Sequence, residues 1–160
     1  MQTHPIQHLP AAPVLHLSVL MKQRPVVSRW VTHEWEVAAV VPADAASDPA
    51  LPRFDGFEVR LYRDEAEGYF LNTSSGKPCA FVMCRVNEDH AEAPPVPHSL
   101  TLSYNEAARW MDAQERVETA PLPIALRAHL EEWVAANYRP EPKKKRIKAS
   151  FLAPRDKERL

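Results

Sequence analysis

Hydrophobic residues fall at every second position over Val14–Met21, with Leu15, Leu17, Val19 and Met21 on one side. Period two predicts a strand with one buried face. Glu34–Val41 repeats it, with Trp35, Val37, Ala39 and Val41 on one face and Glu34 and Glu36 on the other. Lys22–His33 between them reads as a loop. Phe57–Tyr62 predicts a third strand that buries Phe57, Val59 and Leu61. Tyr69–Thr73 predicts a fourth, and the short polar link Arg63–Gly68 pairs the two as a hairpin. Pro78–Val86 is apolar on both faces apart from Arg85, the pattern of a central strand covered on both sides. His98–Leu102 predicts a short sixth strand.

The period then becomes helical. Ser103 followed by Glu106 fits a capping box, in which each side chain satisfies an orphan donor at a helix start. Tyr104, Ala107, Ala108 and Met111 share one face of a helix running to about Glu115. Pro121 and Pro123 separate it from a second helix, roughly Ile124–Asn137, which buries Leu126, Leu130, Trp133, Val134 and Asn137. Strands first and helices last predict an α+β fold. Its sheet is expected to be five- or six-stranded, mostly antiparallel and curled, or a small open barrel. Two short C-terminal helices and a basic tail follow. The chain divides into a lead-in over 1–13, one domain over 14–138 and an extended tail over 139–160. No internal repeat is visible.

Composition narrows the chemistry. The 160 residues include only 3 glycines, Gly56, Gly68 and Gly76, against 16 prolines. No two glycines lie close enough for a GxGxxG turn or a Walker loop, so a Gly-rich phosphate cradle is ruled out. The net charge of -1 hides a division. Residues 1–138 hold 11 basic against 18 acidic residues, and residues 139–160 hold 9 against 3. An acidic body therefore carries a basic tail. No apolar run is long enough for a membrane-spanning helix. The first basic residue is Lys22, and no long apolar core precedes it, so a cytoplasmic location is expected.

Candidate chemistry is sparse. Cys79 and Cys84, five apart in one strand, point to opposite faces and read as two small buried thiols. The seven histidines form no HxH or HExxH pair, and His90 and His98 read as loop residues rather than metal ligands. Asp64, Glu65 and Glu67 read as a solvated turn, because acid–base work needs burial to raise a pKa. Arg24, Arg29 and Trp30 in the first long loop combine the two residue types most enriched at binding hot spots. Trp110 lies off the apolar stripe of its helix, either half exposed to a partner or covered by a neighbouring loop. Arg29, Arg60, Arg85 and Arg109 are candidate anion partners. Arg85 in its apolar strand requires a counter-charge, either an anion or a carboxylate such as Glu36 or Glu58. The run Lys143–Lys148 carries five positive charges without interleaved aromatics, which disfavours nucleic acid. Phe151 and Leu152 behind it form a small apolar anchor.

Three separated blocks carry a family resemblance: Arg63–Asn72 (RDEAEGYFLN), Ser103–Asp112 (SYNEAARWMD) with Pro121-Leu-Pro123, and Tyr138–Arg146 (YRPEPKKKR) with Ser150-Phe151. With Arg29-Trp30 and Trp35-Glu36-Val37, they resemble a bacterial family of unassigned molecular function. Its genes typically lie beside those of molybdenum-dependent formate dehydrogenase, and some members carry the label of molybdenum-cofactor biosynthesis. The resemblance spans about Val14 to Pro154. It implies a non-catalytic accessory or assembly protein, a chaperone-like binder that assists maturation of that dehydrogenase. The expected partners are its subunits or other maturation factors. Arg24, Arg29, Trp30, Trp110, Phe151 and Leu152 would touch the partner. No resident cofactor is expected. The alternatives are a protein that handles molybdopterin, in transient contact with Arg60, Arg85 and Arg109, and a nucleic-acid binder acting through the tail. The tail itself is expected to be a mobile partner-contacting arm.

Overall fold

Leu17, Val19 and Met21 are buried side by side, as their alternation predicts. They lie on β1 (Val14–Pro25), the spine of the first of two sheets in a computed structural model that describes residues 14–90 and 92–140. On either side of β1, antiparallel to it, lie β2 (His33–Pro42) and β3 (Arg53–Arg60). The second sheet repeats this plan. Its central strand is β4 (Cys79–Arg85), flanked antiparallel by β5 (Val96–Thr101) and β6 (Arg116–Pro121). The orders are β2-β1-β3 and β5-β4-β6, so each half begins with its centre and then adds one strand on each side. The halves face each other with β2 against β6 and β3 against β5. The second strand of each thus meets the third strand of the other, a repetition of topology that leaves no trace in the residues.

The helices are α1 (Ala66–Thr73), entered through a 3-10 turn at Arg63–Glu65, α2 (Tyr104–Asp112) and α3 (Ile124–Asn137). The core lies between the sheets, where Leu17, Val19, Met21, Val40 and Val59 meet Ala80, Val82, Cys84 and Ala120. Leu126, Leu130 and Val134 of α3 join it, on the face that the helical period predicts. Tyr69 of α1 packs edge-on against Trp133 of α3, with ring centroids 5.3 Å apart.

The class is α+β, but the single curled sheet is replaced by two sheets of three strands, and the ladders do not close into a barrel. Tyr69–Thr73 is helical rather than a strand paired with residues 57–62. The face of α1 that turns inward carries Ala66, Gly68, Tyr69 and Asn72. Asn72 Nδ2 donates to the Cys79 and Leu102 carbonyls at 2.8 Å each, and its Oδ1 accepts from Cys79 N at 3.0 Å. β6 was not expected at all, and α2 stops at Asp112 rather than Glu115. Gln114, in the left-handed region at φ 65°, turns the chain into β6.

The alternation in β2 breaks at a bulge. Leu20 pairs with Ala39 but Met21 with Val37, so Val37 and Val40 are buried while Ala39 and Val41 are only half-buried. The expected loop over Lys22–His33 shrinks to seven residues, 26–32, because β1 runs on to Pro25. β3 likewise starts earlier than expected, at Arg53. Tyr104 and Met111 are about half exposed, leaving Ala107 as the buried residue of α2.

Candidate functional site

Beyond the core, β1 and β2 continue as a two-stranded arm. Lys22, Gln23, Arg24 and Pro25 pair with Glu36, Trp35, Glu34 and His33. The sequence alternates charge across this ladder, and the pairs follow: Lys22 Nζ to Glu36 at 3.3 Å, and Arg24 to Glu34 at 3.1 Å and Glu36 at 3.4 Å. Each such exposed pair is worth about 0–1 kcal/mol, and their main effect is to hold register. Val26 N donates to Thr32 O at 3.2 Å and closes the tip.

The tip is apolar and cationic. Val27 is fully exposed, Trp30 is 90% exposed and Val31 about half exposed, with Arg29 exposed beside them. A tryptophan side chain buries about 150–250 Å² when covered, worth roughly 4–6 kcal/mol at ~25 cal/mol/Å². This area contributes nothing to folding while it stays in water. Arg29 and Trp30 were singled out from residue type alone. Arg24 was too, but it belongs to the shaft and is held by two glutamates. Val27 and Val31 were missed, although two valines beside a tryptophan in a Pro- and Arg-containing stretch carry the signal.

The remaining predicted residues separate. Trp110 is half-buried on α2. Arg85 pairs with Glu115 at 3.2 Å, not with Glu36 or Glu58. Arg109 is taken by the Glu65 carboxylate, which also accepts from Ser103 Oγ at 2.5 Å. Glu65 is therefore a structural link between the turn before α1 and the start of α2, not a solvated turn residue. Ser103 caps α2 as predicted, accepting from Glu106 N at 3.2 Å. The reciprocal bond of the capping box is replaced, since Ser103 N donates to Thr101 Oγ1 at 3.1 Å and Thr101 Oγ1 donates to Glu106 at 3.0 Å. Arg60 is exposed on β3. Phe151, Leu152, the lead-in over 1–13 and the tail beyond Pro140 lie outside the described residues.

Cys79 and Cys84 do face opposite sides of β4. Burial pushes the Cys84 thiol up to about 11, with the Glu118 carboxylate adding to the effect and Arg116 opposing it. Burial also raises Cys79. Neither is a poised nucleophile. Among the described residues no cluster of three His, Cys, Asp or Glu side chains could hold a metal ion, and no helix is long and apolar enough to cross a membrane.

Fold and surface together define an α+β protein of two like three-stranded halves with a projecting aromatic and basic arm. The chain belongs to the family described as protein of unknown function DUF3305, whose family model matches residues 16–147. No curated protein and no solved structure matches it.

Proposed function

We propose that the protein is a non-catalytic accessory protein that docks on its partner through the arm. The resemblance noted in the sequence suggests that this partner is a molybdenum-dependent formate dehydrogenase subunit undergoing maturation. One observation carries the docking role: Trp30, Val27 and Val31 are held in water at the end of a braced ladder, with Arg29 beside them. Ordering the tip in advance lowers the entropy cost of association. A matching surface would offer an apolar pocket for Trp30 and a carboxylate for Arg29. The cofactor-handling alternative has less support, because Arg85 and Arg109 already hold carboxylates.

The test is co-purification of tagged full-length protein with formate dehydrogenase subunits. Trp30→Ala should reduce recovery at least tenfold and leave the melting temperature within about 2 °C, since surface changes cost at most ~0.5 kcal/mol. Full dehydrogenase activity in a deletion strain, with no co-purification, refutes the partner. An unchanged interaction in the Trp30→Ala protein refutes the arm.

A further inference from the structure

Where β2 meets β6, two side chains of β6 close the seam. Arg116 Nη2 donates to the Trp35 carbonyl at 2.8 Å, and the Glu118 carboxylate accepts from Val37 N at 2.6 Å. Beside this seam, between the base of the arm and the loop from β4 to β5, lies a notch of about 300 Å³. That is the lower end for pockets that enclose a small organic group. Trp35, Val86, Ala93 and Pro95 line it, with Glu34 and Arg116. Trp35 Nε1 donates to the Glu92 carbonyl at 3.1 Å, which ties the loop to the arm base and forms the notch in advance. The loop adds Glu88, Asp89 and Glu92, and no lysine or arginine falls over 86–95. None of these three acids has an ion-pair partner among the described residues, and neither has Arg29 at the tip.

Apolar walls beside carboxylates are what a partner of the arm must offer to Trp30 and Arg29. The ladder keeps the tip out of the notch of its own copy, since Trp30 is 90% exposed. We infer that the notch takes the arm tip of a second copy, so that two chains form a reciprocal dimer. The inference rests on the reading of the arm as a docking element, not on the partner's identity. It adds regulation to that reading, because the second copy shelters the tip until a tighter partner displaces it.

Trp30 and Trp35 are five residues apart, at most roughly 17 Å at ~3.4 Å per residue. A two-fold axis midway between tip and notch fills both sites at once, the same patch serving on each copy. Trp30 then packs on Trp35 and Val86 within reach of the Arg116 guanidinium, and Arg29 faces the acidic loop. Two indoles bury about 300–500 Å². With the walls they cover, the total is about 600–1,000 Å², at or below the ~1,000 Å² where stable interfaces begin. The dimer is therefore weak and concentration-dependent, as a displaceable cover must be.

Sedimentation of the full-length chain between about 5 and 500 μM tests this. The mass should climb from 18.2 kDa towards twice that value. High salt should reduce the climb by screening Arg29 from the loop. Trp30→Ala spoils the tip, and Val86→Arg spoils the notch at a residue that is 64% exposed. Each should weaken association at least tenfold with a melting curve that overlays the parent's. An equimolar mixture of the two restores one good tip and one good notch, so it should associate more strongly than either variant alone. A parent that stays monomeric overturns the inference and leaves docking on another protein standing. A dimer that Val86→Arg does not weaken, a mixture no better than its components, or growth past twice the monomer mass also overturns it. Weakened self-association of Trp30→Ala with unchanged recovery of the dehydrogenase supports the dimer and refutes the arm's role towards that enzyme.

Discussion

Gly68→Ala tests the packing of α1 in sign as well as size. Gly68 is inside a helix, where alanine is ordinarily better than glycine by ~0.8–1.0 kcal/mol. Local propensity therefore predicts a stabilised protein. The tertiary structure predicts the reverse. A Cβ at Gly68 would fall 2.0 Å from Ser103 Oγ, 3.1 Å from Ser103 Cβ and 3.2 Å from Asn105 N. Ser103 is fully buried and cannot swing away freely. Its hydroxyl caps α2 and donates to Glu65. Overpacking costs about 1–3 kcal/mol, and loss of the cap about 0.5–2 kcal/mol. Less the propensity gain, the net loss is about 1–4 kcal/mol, or a fall in melting temperature of roughly 3–15 °C. Urea unfolding followed by tryptophan fluorescence measures it. Ser103→Gly should cost much less in the Gly68→Ala background than in the parent, because it removes the clash along with the cap. A neutral or stabilising Gly68→Ala would refute the close approach of α1 to α2.

Asn72→Ala should cost about 3 kcal/mol or more, measured by the same unfolding curves, because it strips partners from Cys79 N, Cys79 O and Leu102 O at once. In a thiol assay with Ellman's reagent at pH 8, Cys84 should react only on unfolding, while half-buried Cys79 reacts slowly in the native protein; rapid native reaction of both would contradict the burial of β4. Hydrogen bonds from Ser18 and Arg53 hold the Asp55 carboxyl below its ordinary 3.8. A depressed folded pKa stabilises above the unfolded value, and the benefit disappears as pH falls through the folded one. The stability gap between parent and Asp55→Asn should therefore be widest above pH 4 and shrink towards pH 2, and a gap independent of pH would refute the assignment.

Legibility in the sequence followed the chemistry of the buried positions. β1 was readable because its inward residues are Leu, Val and Met in strict alternation. α3 was readable because Leu126, Leu130 and Val134 recur at helical spacing. α1 was not, because its inward positions are Ala, Gly, Tyr and Asn while Phe70 and Leu71 are partly exposed. Its helicity is set by tertiary bonds from Asn72, which no period reports. β6 was hidden because Arg116 and Glu118 serve main-chain groups across the seam, so the strand looks like a polar connection. The bulge in β2 shifted the inward face by one residue, which no strict alternation anticipates. On the surface, the arm was half readable. Arg29 and Trp30 stand out by type, but only the ladder through Pro25 places them at the tip of a projection. The approach of β3 to β5 depends on strand order, which follows from no local pattern.

The topological likeness of the halves bears on how the molecule moves. Among the described residues, every ladder closes inside one contiguous stretch, 14–60 or 79–121, and none crosses between them. Among the described residues no hydrogen bond joins β3 to β5, whereas the opposite seam is tied by Glu118 to Val37 and by Arg116 to Trp35. The halves are therefore joined asymmetrically, by side chains along β2 and β6 and by apolar packing between β3 and β5. Local opening costs less where fewer bonds must break, so amide exchange at the facing edges of β3 and β5 should outpace that along β2 and β6.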